Sequence, residues 1–139
     1  RLTDVTGVQT CALPIYAMDY QITSAIVDGR LELVISGKAT EKNAARIMGD
    51  VIAEIQGAGQ RKVLIDVRTV KGRLGVGRTY FHVRDLPPEM PRRKTAVVEL
   101  EENRSHFEFH EVTARNVGRH IRFFVDLDEA RAWLDADSA

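Results

Sequence analysis

Apolar and polar positions change period several times along the chain, and each change marks an element. Tyr20-Gln21-Ile22-Thr23-Ser24-Ala25-Ile26-Val27 and Leu31-Glu32-Leu33-Val34-Ile35-Ser36-Gly37 are β-rich runs on either side of Asp28-Gly29. An Asp-Gly step between such runs predicts a hairpin, because the tight turn needs residues that accept positive φ. Thr40 then offers an N-cap. Ala44, Ile47, Met48, Val51, Ile52 and Ile55 recur at three-and-four spacing, which predicts an amphipathic helix ending at Gly57 or Gly59. Val63-Leu64-Ile65-Asp66-Val67 is a nearly continuous apolar run, expected of a buried parallel strand.

Leu74 to Leu86 reads as a short helix stopped by Pro87, Pro88 and Pro91. Thr95 to Leu100 is a further strand. Ser105-His106-Phe107-Glu108 has the form of a capping box opening a helix that Gly118 would stop. Ile121-Arg122-Phe123-Phe124-Val125 is the last strand. Asp126 and Glu129 are spaced as a capping pair ahead of the apolar stripe Ala130, Trp133 and Leu134. The order β-β-α-β-α-β-α-β-α predicts one α/β domain, a mixed sheet of about five strands with about four helices and right-handed crossovers.

Residues 1–17 carry neither period. Val5-Thr6-Gly7-Val8-Gln9-Thr10-Cys11-Ala12-Leu13-Pro14-Ile15 resembles the translation of a common sequencing adapter. The expectation is a disordered, non-native extension over 1–17 and a domain over 18–139 with Met18 as its native start. Cys11, the one cysteine, lies inside that extension and forms no internal disulfide.

The 20 Lys and Arg balance the 20 Asp and Glu, so no global field points to a nucleic-acid partner. No apolar run reaches the ~18 residues of a membrane span. The charge is nonetheless unevenly spread: residues 61–94 carry +7, residues 95–139 carry −5 and residues 18–60 carry −2. Arg68, Lys71, Arg73 and Arg78 fall among Gly72, Gly75 and Gly77, where backbone amides can approach an anion. The glycine spacing is neither that of a nucleotide P-loop nor that of a dinucleotide fold. The same charges also fit a solvated loop facing the acidic half of the chain.

Asp66 ends its strand, where functional carboxylates often lie, but an Asp there also commonly accepts backbone hydrogen bonds from the following turn. Thr79, Tyr80 and Phe81 adjoin the basic stretch. With Leu86, Pro87, Pro88 and Met90 they make an apolar patch suited to membrane-surface contact, a ligand lid or simple core filling. His106 and His110 are four apart on one helix, but the His-Glu-x-x-His order of zinc proteases is absent and no third ligand is evident. No metal site and no cofactor are expected.

From Tyr20 to Trp133 the chain resembles the SpoIIAA-like family within the STAS fold. The residues that carry the resemblance are Val63-Leu64-Ile65-Asp66-Val67-Arg68, Lys71-Gly72-Arg73-Leu74-Gly75 and Phe124-Val125-Asp126-Leu127-Asp128-Glu129-Ala130-Arg131-Ala132-Trp133-Leu134. The resemblance implies a cytoplasmic, bacterial-type, non-enzymatic regulatory module with a protein partner. Anti-sigma-factor antagonists carry a phosphorylated serine after the corresponding strand, whereas Val70 to Gly75 holds no hydroxyl, so that switch does not carry over. The family also resembles CRAL-TRIO lipid-binding folds, which makes a carrier of an apolar or amphipathic small molecule the alternative. The partner-binding residues expected are Asp66, Arg68, Lys71, Arg73, Arg78, Thr79, Tyr80 and Phe81. An exposed strand edge also allows a homodimer.

Overall fold

The structure, a computed structural model, describes residues 19–40, 42–72, 93–116 and 120–136. Strand β1 (Tyr20–Val27) and strand β2 (Arg30–Lys38) form the expected hairpin, with residues paired from Val27↔Arg30 to Tyr20↔Gly37. Asp28 (φ 50°) and Gly29 (φ 80°) both take the left-handed backbone that this two-residue turn demands. Helix α1 (Ala44–Ala58) leads to β3 (Lys62–Lys71), and β4 (Lys94–Val98) follows. A 3₁₀ turn (Glu101–Asn103) enters helix α2 (Arg104–Asn116), and β5 (Ile121–Phe124) precedes the last helix, α3 (Leu127–Asp135).

The five strands lie in the order β1-β2-β3-β4-β5, antiparallel at the first step and parallel thereafter. This is the mixed sheet that the alternation of strands and helices implies. Three α-helices and one 3₁₀ turn stand among the described residues. The helix expected over Leu74 to Leu86 lies outside them.

Two apolar layers hold the sheet. On one face Val51 and Ile55 of α1 pack on Leu31, Leu33, Ile35 and Val63. On the other, Ala130 and Leu134 of α3 pack on Leu64, Ala96 and Val98. Consecutive residues Val63 and Leu64 thus serve opposite layers, which is why their strand reads as a continuous apolar run. Helix α2 packs on β5, where the rings of Phe107 and Phe123 stack 5.4 Å apart.

The helix ends refine the sequence reading. Asp126 caps α3 as expected, its carboxylate accepting from Glu129 N–H at 2.9 Å. Gly59 ends α1 in the left-handed conformation (φ 69°), its N–H donating to the Ile55 carbonyl. Thr40 opens α1 as expected, in a reciprocal capping pair one turn ahead of Ala44: its hydroxyl accepts from Asn43 N–H at 3.2 Å, its N–H donates to Asn43 Oδ1 at 2.8 Å, and its carbonyl accepts from Ala44 N–H at 2.9 Å. The Asn43 amide also donates to the Lys38 carbonyl at 2.9 Å, so this turn ties the start of α1 to β2. Ser105 is not the cap of α2, because that helix starts at Arg104 behind the 3₁₀ turn. Buried Glu99 organises that entry by accepting from Leu100 N–H at 2.8 Å and from the Asn103 amide at 3.0 Å.

Charges as well as its apolar face join α3 to the sheet. Glu32 on β2 accepts from Arg131 Nη2 at 2.8 Å, from Arg131 Nε at 3.0 Å and from Arg30 Nε at 3.0 Å. Arg30 Nη1 reaches Asp135 at 2.7 Å. The Arg30 side chain is 5% exposed and that of Glu32 is 11% exposed, so this network is largely withdrawn from water. Lys94 Nζ donates to the Trp133 carbonyl at 2.6 Å, placing a cation at the negative end of the helix dipole.

Candidate functional site

The parallel strands end together at one side of the sheet, where ligand crevices of open α/β folds usually lie. A cleft of about 330 Å³ opens there, lined by Arg68, Thr69, Val70, Lys71 and Gly72 of β3 and its exit, with Leu100, Glu102 and Asn103 opposite. β3 supplies most of this wall because it runs to Lys71, beyond the Val67 end that the apolar run suggests. Arg68 and Lys71 are therefore strand residues, not the start of a loop. The extension survives because β2 continues to pair with it, Ser36↔Thr69 through Lys38↔Lys71.

Pairing between β2 and β3 shifts register between Val34 and Ser36, where Val34 faces Asp66 and Ser36 faces Thr69. β3 thus carries one extra residue, a bulge of the kind that re-aims side chains near binding sites. Asp66 secures it. Its carboxylate accepts from the Arg68 backbone N–H at 3.1 Å, from Arg68 Nε at 3.0 Å and from Arg68 Nη2 at 2.8 Å. Both Asp66 oxygens are thus engaged by one arginine, the hydrogen-bonding role expected of an Asp at this position. Burial pushes the Asp66 carboxyl up, but the hydrogen bonds from Arg68 outweigh it and hold the carboxyl below its usual range. The pair in turn fixes the guanidinium beside the cleft with 36% of the Arg68 side chain still exposed.

Thr69 donates its hydroxyl to the Ile35 carbonyl at 3.2 Å, which ties the bulged strand back to β2. Gly72 has φ 80°, and a Cβ there would lie 2.5 Å from the Ala39 carbonyl oxygen. The two strand exits cross so closely because Ala39 N–H donates to the Lys71 carbonyl at 2.8 Å. Gly72→Ala is expected to cost about 1–3 kcal/mol through the strained backbone and this contact. Urea unfolding checks it; a variant as stable as wild type would mean that the crossing relaxes freely.

Of the eight residues expected at the site, the structure brings Arg68 and Lys71 to the cleft and places Asp66 behind them. Arg73, Arg78, Thr79, Tyr80 and Phe81 lie outside the described residues. Leu100, Glu102 and Asn103 were missed by sequence reasoning. The signal was present in the topology: Val98 pairs with Asp66, so whatever follows β4 must face whatever follows the middle of β3. Glu99-Leu100-Glu101-Glu102-Asn103 is that segment. His106 and His110 both fall on α2. Among the described residues no group of three or more His, Cys, Asp or Glu side chains assembles as a metal site. No helix among them is long and apolar enough to cross a membrane.

Two solved structures share this architecture. An anti-sigma factor antagonist from Mycobacterium paratuberculosis superposes with a TM-score of 0.59 at 15% identity, over 84% of this chain and 95% of that one. An uncharacterized protein with a SpoIIAA-like fold from Shewanella loihica gives a TM-score of 0.53 at 17% identity, over 83% of this chain and 93% of that one. No family model and no curated protein matches the chain. The fold is the SpoIIAA-like, STAS-type α/β fold that the sequence resemblance implied.

Proposed function

We propose that this chain is a non-enzymatic regulatory module that docks a protein partner at the cleft beside β3. The observation that carries this reading is the Asp66–Arg68 pair, two side chain–side chain hydrogen bonds and one to backbone, on a bulged strand at the cleft. A carboxylate so engaged is a poor general base, whereas a guanidinium so held is a rigid recognition element. The rim carries both signs, Arg68 and Lys71 on one wall and Glu102 on the other, which suits the paired charges of a protein surface. The similar structure from Mycobacterium paratuberculosis is an anti-sigma factor antagonist, and the same fold with a cleft at its strand ends is compatible with a related mode of action. Location in the cytoplasm belongs to this reading.

Affinity capture from host lysate with wild type, Lys71→Glu and Glu102→Lys tests the docking surface. A partner retained by wild type should fall at least about tenfold with either charge reversal, equivalent to about 1.4 kcal/mol. Circular dichroism should stay unchanged. An identical partner set across the three proteins would remove the cleft from consideration. The alternative, a carrier of an apolar or amphipathic small molecule, rests on Tyr80 and Phe81 lying near a pocket. The described lining of the cleft offers it only Val70 and Leu100 as large apolar side chains.

A further inference from the structure

The sheet ends in two edges that are built very differently. β5 is four residues long and carries Arg122, and its Phe123 N–H is taken by Glu111 of α2 at 2.6 Å. Short length, a charge and a covered amide are the usual protections of an edge. Among the described residues β1 shows none of them: it is eight residues of Tyr20-Gln21-Ile22-Thr23-Ser24-Ala25-Ile26-Val27, with no charge and no proline, and it pairs with β2 without a bulge. Ile26 is 58% exposed at its far end.

The hydrogen-bond parity of this edge follows from the hairpin. Lys38 N–H donates to the Asp19 carbonyl at 2.7 Å, so Asp19 opposite Lys38 is a hydrogen-bonded pair. Antiparallel pairs alternate, so Gln21, Thr23, Ala25 and Val27 turn their backbone groups toward β2. Tyr20, Ile22, Ser24 and Ile26 turn theirs outward, and among the described residues no further strand pairs there.

We infer that β1 is a homodimer interface, at which a second copy of this chain adds its own β1 antiparallel to form one continuous sheet. The occupant is specified by self-complementarity. Placing the two-fold axis at Thr23 sets Tyr20 against Ile26 of the second copy and Ile22 against its Ser24. All four outward-facing residues of each strand are then used, giving about eight cross-strand hydrogen bonds at two per bonded pair. Moving the axis by one residue in either direction leaves an outward-facing residue unmatched. The ladder from Tyr20 to Ile26 contains no charge, so two copies meet there without like-charge opposition. Exposed Ile26 then lies beside Tyr20 of the second copy, and the α1 face of one subunit continues into the α1 face of the other.

The register makes a sharp test. Thr23 lies opposite itself as a non-hydrogen-bonded pair, with Cα atoms about 4.5 Å apart, within disulfide range. In a full-length Cys11→Ser background, Thr23→Cys is expected to form a disulfide-linked dimer on mild oxidation, seen on a non-reducing gel. Gln21→Cys, which faces Ala25 of the second copy, is not. Light scattering should give the wild type twice the chain mass. Ile26→Lys, at an exposed position, should raise the dissociation constant at least about tenfold with unchanged circular dichroism. Wild type that stays monomeric up to its solubility limit would overturn the inference. So would a dimer insensitive to Ile26→Lys, or one in which Gln21→Cys links to itself as well as Thr23→Cys. A β1 that captures only added extended peptides also counts against it.

Discussion

Glu32→Ala is expected to destabilise the domain by about 3 kcal/mol. Glu32 joins two arginines, Arg30 from its own strand and Arg131 from α3, with only 11% of its side chain exposed. Removing it leaves the Arg30 guanidinium buried with one acceptor fewer. Asp135 still holds Arg30 Nη1 at 2.7 Å, which keeps the effect at the low end for a broken buried pair. The same network has a pH signature. Burial works against ionisation of Glu32, but hydrogen bonds from Arg131 and Arg30 prevail, so its carboxyl lies below the usual range. A carboxyl lowered by folding stabilises the native state above its unfolded pKa of about 4.3, and the contribution fades as pH falls through the lower folded value. Asp66, lowered by Arg68, acts with the same sign. Urea unfolding at neutral and acid pH is the measurement. Glu32→Gln should lose stability at neutral pH and show a shallower acid decline than wild type. Parallel acid profiles for the two proteins would mean that Glu32 does not couple to folding.

Leu134→Ala should cost about 2–5 kcal/mol, by lost burial and by the cavity left behind. Leu134 has no exposed surface and sits among Leu64, Val98 and Ala130, with Phe124 and Trp133 at its margin. It is the larger of the two fully buried side chains of α3, a helix of nine residues that would not be stable alone. The expectation is that α3 frays first. Amide exchange over 127–135 should accelerate more than exchange in β3, and the unfolding midpoint should fall. A loss below about 1 kcal/mol would show that the site collapses around the smaller side chain. Glu32 and Leu134 both secure α3 to the sheet, so their double variant should depart from additivity.

Much of the fold can be read locally. The Asp28-Gly29 turn, the α1 stripe ending at Gly59 and the Asp126 cap on α3 each depend on a few neighbouring residues, and each stands where the pattern puts it. Thr40 caps as its side chain predicts, and its partner Asn43 also reaches Lys38 of β2. Ser105 carries the right side chain for a cap but does not serve as one, because buried Glu99 gathers Leu100 and Asn103 into a turn just ahead of α2. Capping motifs say which residues can cap; the packed chain selects among them.

For the candidate site the division is sharper. The basic stretch and Asp66 are visible in the sequence, but their relation is not. Whether Asp66 is free or engaged depends on a bulge, and the bulge exists only because β2 and β3 pair out of step beyond Val34. The opposite wall, Leu100, Glu102 and Asn103, comes from a segment about thirty residues further on that parallel pairing brings alongside.

By itself, then, the amino-acid order determined the described elements, their alternation and the α/β class, because hydrophobic period, turn chemistry and helix caps act over a few residues. The tertiary structure alone decided which strands neighbour one another, that Glu32 and Arg30 of β2 meet Arg131 and Asp135 of α3, and that Arg68 stands fixed at a cleft. Those contacts join residues as far as 105 positions apart. Neither member of such a pair is distinguished in sequence from an ordinary surface charge; burial and a partner set by the sheet make the difference.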